Sequence, residues 1–375
     1  MPKTLPWLAA VTLGVSLTSH LALAADNSAP KAQETAATHA FITVPNTFNS
    51  PASSAVDSAG NLYFTSPNFN NDGLVKSGVL AQPAPPAIGK VAADNTFTSW
   101  YTFTPQDMAP STGKLAPMGI ALGPDGNAYV ADMQYWFDKN HQSRILRIVI
   151  ENGKAVRSEV VATGLLFPNG LAWKGDDLFI SETILSAEEG DTLSGVYKVN
   201  LAELDAAAPL ALAPFTPGDS HDAHLLETFH SNGSLSFGAN GVAFDDNGDL
   251  YTSLMEDGSI VKTRLDADNK VISSAVWADG MVATDGMKWD SRSQRIYIAD
   301  LFDNAIYSID PQGNKTLMAR NGATDGANGE LDAPAEVAIR GNEVITTNFD
   351  ATFDDPRMVN RTAGAPFTLS ILPIE

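Results

Sequence analysis

The chain repeats one short motif, and this repetition constrains its fold more than any other feature of the sequence. Three clear copies place an Asn or Asp before Gly and a short apolar run: Leu166–Trp173, Gly238–Phe244 and Ala283–Trp289. An acidic or glycine-rich turn and a second apolar run follow each copy, a pattern that predicts a tight β-hairpin. A recurring hairpin indicates a repeat architecture.

Weaker copies of the same template extend the repeat over most of the chain, at Ser53–Phe64, Met118–Val130 and Glu336–Ile345. An anchor residue in the second run recurs at intervals of 46 to 72 residues, the scale of propeller blades with loop insertions. These anchors are Tyr63, Tyr129, Phe179, Tyr251, Tyr297 and Ile345. Six hairpins predict an all-β fold, a six-bladed β-propeller that spans residues 40–375.

Two short strands without a hairpin of their own lie at the ends of this repeat. Ala40–Val44 precedes the first hairpin, and Phe367–Pro373 follows the last. The last blade of a propeller is often completed by strands from both ends of the chain, which removes exposed sheet edges. We therefore expect these two segments to pair and close the ring.

Residues 1–24 have the features of a secretory signal peptide. Lys3 precedes the apolar stretch Leu8–Leu17, and Ala22–Ala24 supplies a small-residue cleavage site. The apolar stretch is shorter than the ~20 residues that a membrane-spanning helix needs. The sequence thus predicts cleavage, a flexible lead-in over residues 25–39, and a periplasmic or secreted protein with no membrane association afterwards.

Charge and composition exclude several classes of function. The formal net charge of −21 repels nucleic acids and anionic bilayers, so neither is an expected partner. The chain has no cysteine, which excludes disulfides, thiolate metal sites and cysteine nucleophiles. His221, His224 and His230 lie in or next to an insertion, and their spacing favours surface histidines over a zinc site.

The hairpin template places one residue of each repeat at the entrance of the innermost strand. Innermost strands line the channel of a propeller, so these residues are predicted to form a ring around one mouth. The ring positions are Ala52, Met118, Asn169, Asn240, Asp285 and Ala335. Asn or Asp before Gly also forms turns without any ligand. Three oxygen-bearing side chains in consecutive repeats nevertheless favour a Ca²⁺ or Mg²⁺ site.

These motifs resemble the family of calcium-dependent six-bladed propellers that includes gluconolactonase, regucalcin and the luciferin-regenerating enzyme. The resemblance covers residues 44–373 and depends on the Asn-Gly and Asp-Gly motifs at Asn169, Asn240 and Asp285. It implies a divalent cation, Ca²⁺, held by these three residues. It also implies proton transfer by Asp285 as the catalytic residue, substrate contact by Asn169, and a small-molecule substrate such as a sugar lactone.

One position departs from the family pattern. The family usually supplies a glutamate from the first blade, and the matching residue here is Ala52. A site with one carboxylate holds calcium weakly, because the charge of the ligands helps to set the affinity. Glu336 in the last repeat is a candidate fourth ligand. It sits one place off the ring register, and strand alternation predicts that its side chain points elsewhere unless a bulge re-aims it.

The loops after the second strands are expected to open at the same mouth as the ring. They carry Tyr135, Trp136 and Phe302, which are candidates to stack on a sugar or lactone ring, and Glu182, a further carboxylate for substrate binding.

Two functions are compatible with these patterns. The leading interpretation is an exported, metal-dependent hydrolase that opens a lactone or a similar ester. The alternative is a non-catalytic propeller that binds a small ligand or a partner protein at the same mouth, and Ala52 favours it.

Overall fold

The computed structural model describes residues 40–188, 190–219 and 221–374, and these form a ring of six β-sheets. The predicted six-bladed propeller is confirmed. The predicted signal peptide and lead-in occupy residues 1–39, outside the described residues. Within the described part of the chain, no helix is long and apolar enough to span a bilayer.

The first strand, β1 (Ala40–Val44), belongs to the last blade, and the first three blades follow it in chain order. Blade 1 contains β2 (Ser54–Val56), β3 (Leu62–Ser66), β4 (Ala87–Val91) and β5 (Phe97–Thr102). Blade 2 contains β6 (Pro117–Leu122), β7 (Ala128–Asp132), β8 (Ser143–Glu151) and β9 (Lys154–Leu165). Blade 3 contains β10 (Pro168–Lys174), β11 (Asp177–Glu188), β12 (Asp191–Asn200) and β14 (Leu225–Ser231).

The remaining blades have the same plan. Blade 4 contains β15 (Ala239–Phe244), β16 (Leu250–Leu254), β17 (Ser259–Leu265) and β18 (Val271–Ala278). Blade 5 contains β19 (Thr284–Asp290), β20 (Arg295–Asp300), β21 (Ala305–Ile309) and β22 (Lys315–Arg320). Blade 6 contains β23 (Pro334–Arg340), β24 (Glu343–Asn348), β25 (Phe367–Pro373) and β1. The insertions carry helix α1 (Asn71–Lys76), a 3₁₀ turn (Leu201–Glu203) and β13 (Leu210–Ala211), which runs parallel to β9.

The ring closes through the two ends of the described chain. β1 pairs antiparallel with β25, from Ala40 opposite Ile371 to Val44 opposite Phe367. The predicted closure is therefore confirmed. The alternation of β1 turns the Ile42 side chain into a core cluster with Leu369, whereas Phe41 faces solvent.

The hairpin turns of blades 1, 2 and 4 are each fixed by an aspartate side chain. In blade 1, Asp57 Oδ1 accepts the backbone N–H of Ala59 at 2.9 Å, and Gly60 adopts a φ of +79° that favours glycine. The hydroxyl of the buried anchor Tyr63 donates to Asp57 Oδ2 at 3.1 Å and ties the turn to the second strand. The same bond joins Asp125 to Tyr129 in blade 2 and Asp245 to Tyr251 in blade 4.

Neighbouring blades are joined near the channel by a contact that we call the hydroxyl bridge. A hydroxyl on the second strand of one blade donates to the backbone carbonyl of the ring residue in the next blade. Ser253 Oγ donates to the Asp285 carbonyl at 2.8 Å and accepts the Gly241 N–H at 2.7 Å. The equivalent bridges run from Ser181 to Asn240, from Thr65 to Met118 and from Thr347 to Ala52.

The glycine of each Asn-Gly motif is required by this close approach of the blades. A Cβ at Gly170 would lie 2.4 Å from the Asn240 carbonyl oxygen, and one at Gly241 would lie 2.5 Å from that of Asp285. Neither glycine has a positive φ, so these motifs do not form the tight turns that Asn-Gly often makes. Both lie in innermost strands, β10 and β15.

Two adjacent substitutions in β1 test the closure of the ring. Ile42 is 6% exposed and Phe41 is 40% exposed. We expect Ile42→Ala to lower the free energy of unfolding by about 2 kcal/mol or more, because it leaves a cavity in the core. Phe41→Ala removes a larger side chain from the solvent face and is expected to cost about 0.5 kcal/mol or less. Urea denaturation measures both, and equal effects would contradict the pairing.

Candidate functional site

One cavity opens at the mouth of the channel, and its walls are built by the innermost strands and the loops next to them. It holds about 570 Å³ of space, including its open mouth. All six ring positions reach its wall: Ala52, Met118, Asn169, Asn240, Asp285 and Ala335. The structure therefore brings together the three residues that the sequence proposes as metal ligands, one from each of three consecutive blades.

The carboxyl group of Asp285 is buried at the wall of this cavity. Burial, and secondly the negative charge of Glu336, raise the pKa of Asp285 well above its usual range. Hydrogen bonds from the Asn240 side chain and the Gly286 backbone offset part of this rise. The Asn240 side chain is itself buried, and its Nδ2 lies 3.5 Å from Met255 Sδ. Asp285 and Asn240 thus form a buried polar pair at the cavity wall.

The Glu336 side chain lies beside this pair. Its Oε2 accepts the Ser53 hydroxyl at 3.0 Å and the Lys288 ammonium at 3.3 Å, and its Oε1 accepts the Val337 N–H at 3.0 Å. A Cβ at Gly286 would lie 2.3 Å from Glu336 Oε1, so the carboxyl group covers the residue that follows Asp285. Burial raises the pKa of Glu336, and Lys288 opposes the rise.

The orientation of Glu336 corrects the expectation from strand alternation. The pairing of β23 with β24 shifts between Pro334 and Glu336, because one extra residue is accommodated there. Such a bulge changes the face toward which the next side chain points. The side chain therefore reaches the cavity that Ala52 and Asp285 line.

The predicted substrate-binding residues divide into two groups. Asn169 and Trp136 line the cavity. Tyr135 stacks on Phe167 with ring centroids 5.6 Å apart, behind the lining. Glu182 and Phe302 are only 1% and 0% exposed, and they belong to the core and not to the cavity wall. The expectation that their loops present them at the mouth is wrong, because these side chains turn inward.

Glu182 has a structural partner that explains its position. Its Oε1 accepts the backbone N–H groups of Leu166 and Phe167, in the loop that enters β10. Acidic residues at the ends of other second strands hold the equivalent loops of blades 2, 4 and 5: Asp132 accepts from Ala116, Glu256 from Phe237 and Asp300 from Ala283. The recurrence of an acidic residue at this place is the signal in the sequence that indicates a structural role.

Burial raises the pKa of Glu182 to about 8. The unfolded carboxyl group ionises near 4.5, so the folded state retains this proton over a range in which the unfolded state loses it. The resulting stabilisation is complete below pH 4.5 and is lost as the pH rises to about 8.

Glu182→Gln keeps the shape of the side chain and removes its titration. Between pH 5 and pH 8, we expect the free energy of unfolding of the wild type to fall by a few kcal/mol more than that of the variant. Urea denaturation at both pH values measures the difference. If the stability of the variant keeps the wild-type pH dependence and its substrate affinity changes, Glu182 belongs to the substrate site instead.

An aromatic collar surrounds most of the mouth. We use this name for the chain of rings Phe349, Phe69, Trp136, Phe167, Phe237 and Phe353, whose successive centroids lie 4.9 to 6.0 Å apart. All of these except Phe69 line the cavity. Of the collar, only Trp136 is among the residues that the sequence proposes.

The segment 351–366, which we call the cap segment, brings Phe353 to the mouth and crosses between blades. Arg357 donates to the backbone carbonyl of Glu256 at 3.0 Å and to its carboxylate at 3.2 Å, on the blade 4 side. The Val359 N–H donates to the carbonyl of Phe302 in blade 5 at 2.8 Å. The cap segment is thus fastened to two blades besides its own.

Among the described residues, acidic and imidazole side chains alone do not form a metal site. In the described ranges, no group of three or more His, Cys, Asp or Glu side chains is placed to hold a metal ion. His224 bonds Asp222 and Glu203, at 2.7 and 3.0 Å, and His221 stacks on Phe215. Any cation at the mouth must therefore use amide as well as carboxylate oxygens.

Comparison with known proteins supports the fold and leaves the chemistry open. No family model matches the chain, and no curated protein sequence matches it. Among solved structures, a gluconolactonase from Xanthomonas campestris aligns with a TM-score of 0.52 at 12% identity, over 89% of this chain and 89% of its own. A calcium-binding protein, regucalcin from Agrobacterium tumefaciens, aligns with a TM-score of 0.52 at 14% identity, over 90% and 94%.

A third structure has a different activity. The PQQ-bound aldose sugar dehydrogenase from Streptomyces coelicolor aligns with a TM-score of 0.51 at 15% identity, over 89% of this chain and 96% of its own. The resemblance to the gluconolactonase and regucalcin propellers is confirmed at the level of the fold. Sequence identities this low do not show that the chain catalyses the same reaction as any of these proteins. Its function must therefore be argued from the residues of the cavity.

Proposed function

We propose that the protein is an exported, metal-dependent hydrolase that opens a lactone or a similar ester. One observation carries this proposal: Asn169, Asn240 and Asp285 enter a single cavity from the innermost strands of three consecutive blades. Export is proposed on the sequence of residues 1–24 alone.

The residues present at the mouth fit a divalent cation. Two carboxylates, Asp285 and Glu336, are buried close enough for the charge of one to raise the pKa of the other. Lys288 compensates Glu336, so Asp285 is the buried carboxylate that has no cationic partner among the described residues. The side-chain amide of Asn169 faces the cavity and forms no hydrogen bond with the described residues. Amide and carboxylate oxygens are hard donors, which suit Ca²⁺.

The proposed reaction divides its tasks among these residues. Asn169, Asn240, Asp285 and Glu336 would hold the cation, which when bound polarises a carbonyl and lowers the pKa of water. The oxygen of water bonds to the ester carbon, and Asp285 would receive the proton of the attacking water. The ring C–O bond breaks, and Asp285 would pass this proton to the ring oxygen. The hydroxy acid product then ionises, which acidifies the solution.

A non-catalytic ligand-binding propeller remains the second candidate, on a specific observation. Ala52 replaces a carboxylate at the first blade, and Glu336 already has partners in Ser53 and Lys288. A cation that binds weakly at this site would leave an apolar cavity suited to binding without turnover.

Calcium is expected to stabilise the folded protein. A cation that binds the folded state alone adds about 2.7 kcal/mol at one hundred times its Kd. We expect the melting temperature of the EDTA-treated protein to rise with added Ca²⁺, and the Asp285→Asn variant to show little or no rise. Calorimetric scans of both proteins measure this, and a wild-type melt that is insensitive to calcium and EDTA would favour the binding propeller.

Asp285→Asn is expected to reduce lactone turnover by at least about a hundredfold, because it removes both a proton acceptor and a ligand charge. The matched control is Asp310→Asn, which changes the same group in the β21–β22 turn of blade 5, where Asp310 accepts backbone N–H groups. A pH-drop assay on a panel of lactones compares them. Equal activity of both variants would place the chemistry elsewhere.

A further inference from the structure

We infer that the substrate is a lactone or ester that carries an alkyl substituent of several carbons, and not a polyhydroxylated sugar lactone. This inference rests on the proposed function and names the substrate class of the same cavity. It follows from the side chains that line the wall and from the hydrogen bonds that those side chains have already formed.

The wall of the cavity is mostly apolar. Above the polar group at Asp285, five rings of the aromatic collar face the interior, and the lining described by the structure includes no Lys, Arg, His or Tyr side chain. Met118 and Met255 lie among them and add flexible apolar surface. Sites that bind sugars need side chains that donate to and accept from hydroxyl groups, and this wall supplies few of them.

The polar side chains of the wall are largely occupied. The Thr183 hydroxyl donates to the Ala239 carbonyl at 2.7 Å, and the Ser53 hydroxyl donates to Glu336 at 3.0 Å. Asn169, Asn240 and Asp285 remain, and the proposed reaction uses all three at the cation and the reacting carbonyl. Each further hydroxyl of a sugar lactone would lose water without gaining a partner, which lowers affinity by about tenfold or more.

The collar also gives an alkyl chain a continuous surface to cover. Phe167 and Phe237 stand beside the entrances to β10 and β15, where Asn169 and Asn240 project into the cavity. Phe353 extends this surface to the cap segment, with its ring 5.6 Å from that of Phe237. An alkyl substituent on the lactone ring can therefore extend away from the reacting carbonyl and stay in contact with aromatic side chains.

A series of six-membered lactones tests the inference. We expect kcat/KM to rise by up to about fourfold for each methylene added, from δ-valerolactone through δ-octalactone to δ-decalactone, until the apolar wall is covered. Glucono-δ-lactone has the same ring with hydroxyl groups in place of the alkyl chain, and it is expected to react no better than δ-valerolactone. A kcat/KM for glucono-δ-lactone equal to or above that for δ-decalactone would overturn the inference.

Phe353→Ala locates the selectivity in the collar. We expect KM for δ-decalactone to rise about tenfold more than KM for δ-valerolactone, because the longer alkyl chain covers more of the Phe353 ring. The matched control is Phe41→Ala, the same substitution at an exposed ring on β1, and it is expected to leave both substrates unaffected. Equal losses for both lactones in Phe353→Ala would contradict a contact with the alkyl chain.

Binding to the Asp285→Asn variant separates this inference from the proposed reaction. Titration calorimetry compares δ-decalactone with glucono-δ-lactone on a protein expected to hydrolyse neither. If the wild type hydrolyses no lactone but δ-decalactone binds the variant at least tenfold more tightly, the proposed function fails and the apolar selectivity stands. If lactones are hydrolysed but δ-decalactone has no advantage in binding or turnover, the selectivity fails and the proposed function stands.

Discussion

The hydroxyl bridge between neighbouring blades is the interaction on which the positions of Asn240 and Asp285 depend. Ser181 and Ser253 each hold the backbone carbonyl of the ring residue in the next blade, Asn240 and Asp285 respectively. A hydrogen bond at this carbonyl fixes the backbone from which the functional side chain extends. Glycines that follow the ring residues let the blades approach closely enough for the bond to form. The side chains thus converge because packing between blades leaves their backbones little freedom.

The mouth combines a small cluster of polar side chains around Asp285 with a large apolar wall. Asp285 and Glu336 are buried, so charges between them are weakly screened and a cation would be attracted strongly. The aromatic collar surrounds this cluster with apolar surface, which favours apolar ligands. The proposed preference for alkyl over sugar lactones depends on this pairing of buried oxygen donors with rings of Phe and Trp.

The sequence predicted the fold because the hairpin repeats carry their own turn and strand signals, and the ring residues followed from aligning those repeats. Side chains outside the repeat were harder to place. Glu182 turns inward and accepts loop N–H groups, and Phe302 turns inward and packs in the core. Glu336 reaches the cavity through a bulge, which a sequence does not reveal. Phe353 arrives on a long insertion whose path depends on contacts with distant blades.

The central claim is that side-chain oxygens from three blades meet at one cation. Long-wavelength diffraction from a crystal grown with calcium tests it most directly, because the anomalous signal of calcium identifies the ion and its position. The account predicts one peak at the mouth, about 2.3–2.6 Å from oxygens of Asn169, Asn240 and Asp285. No peak at the mouth, or a calcium ion bound only elsewhere on the ring, would contradict it.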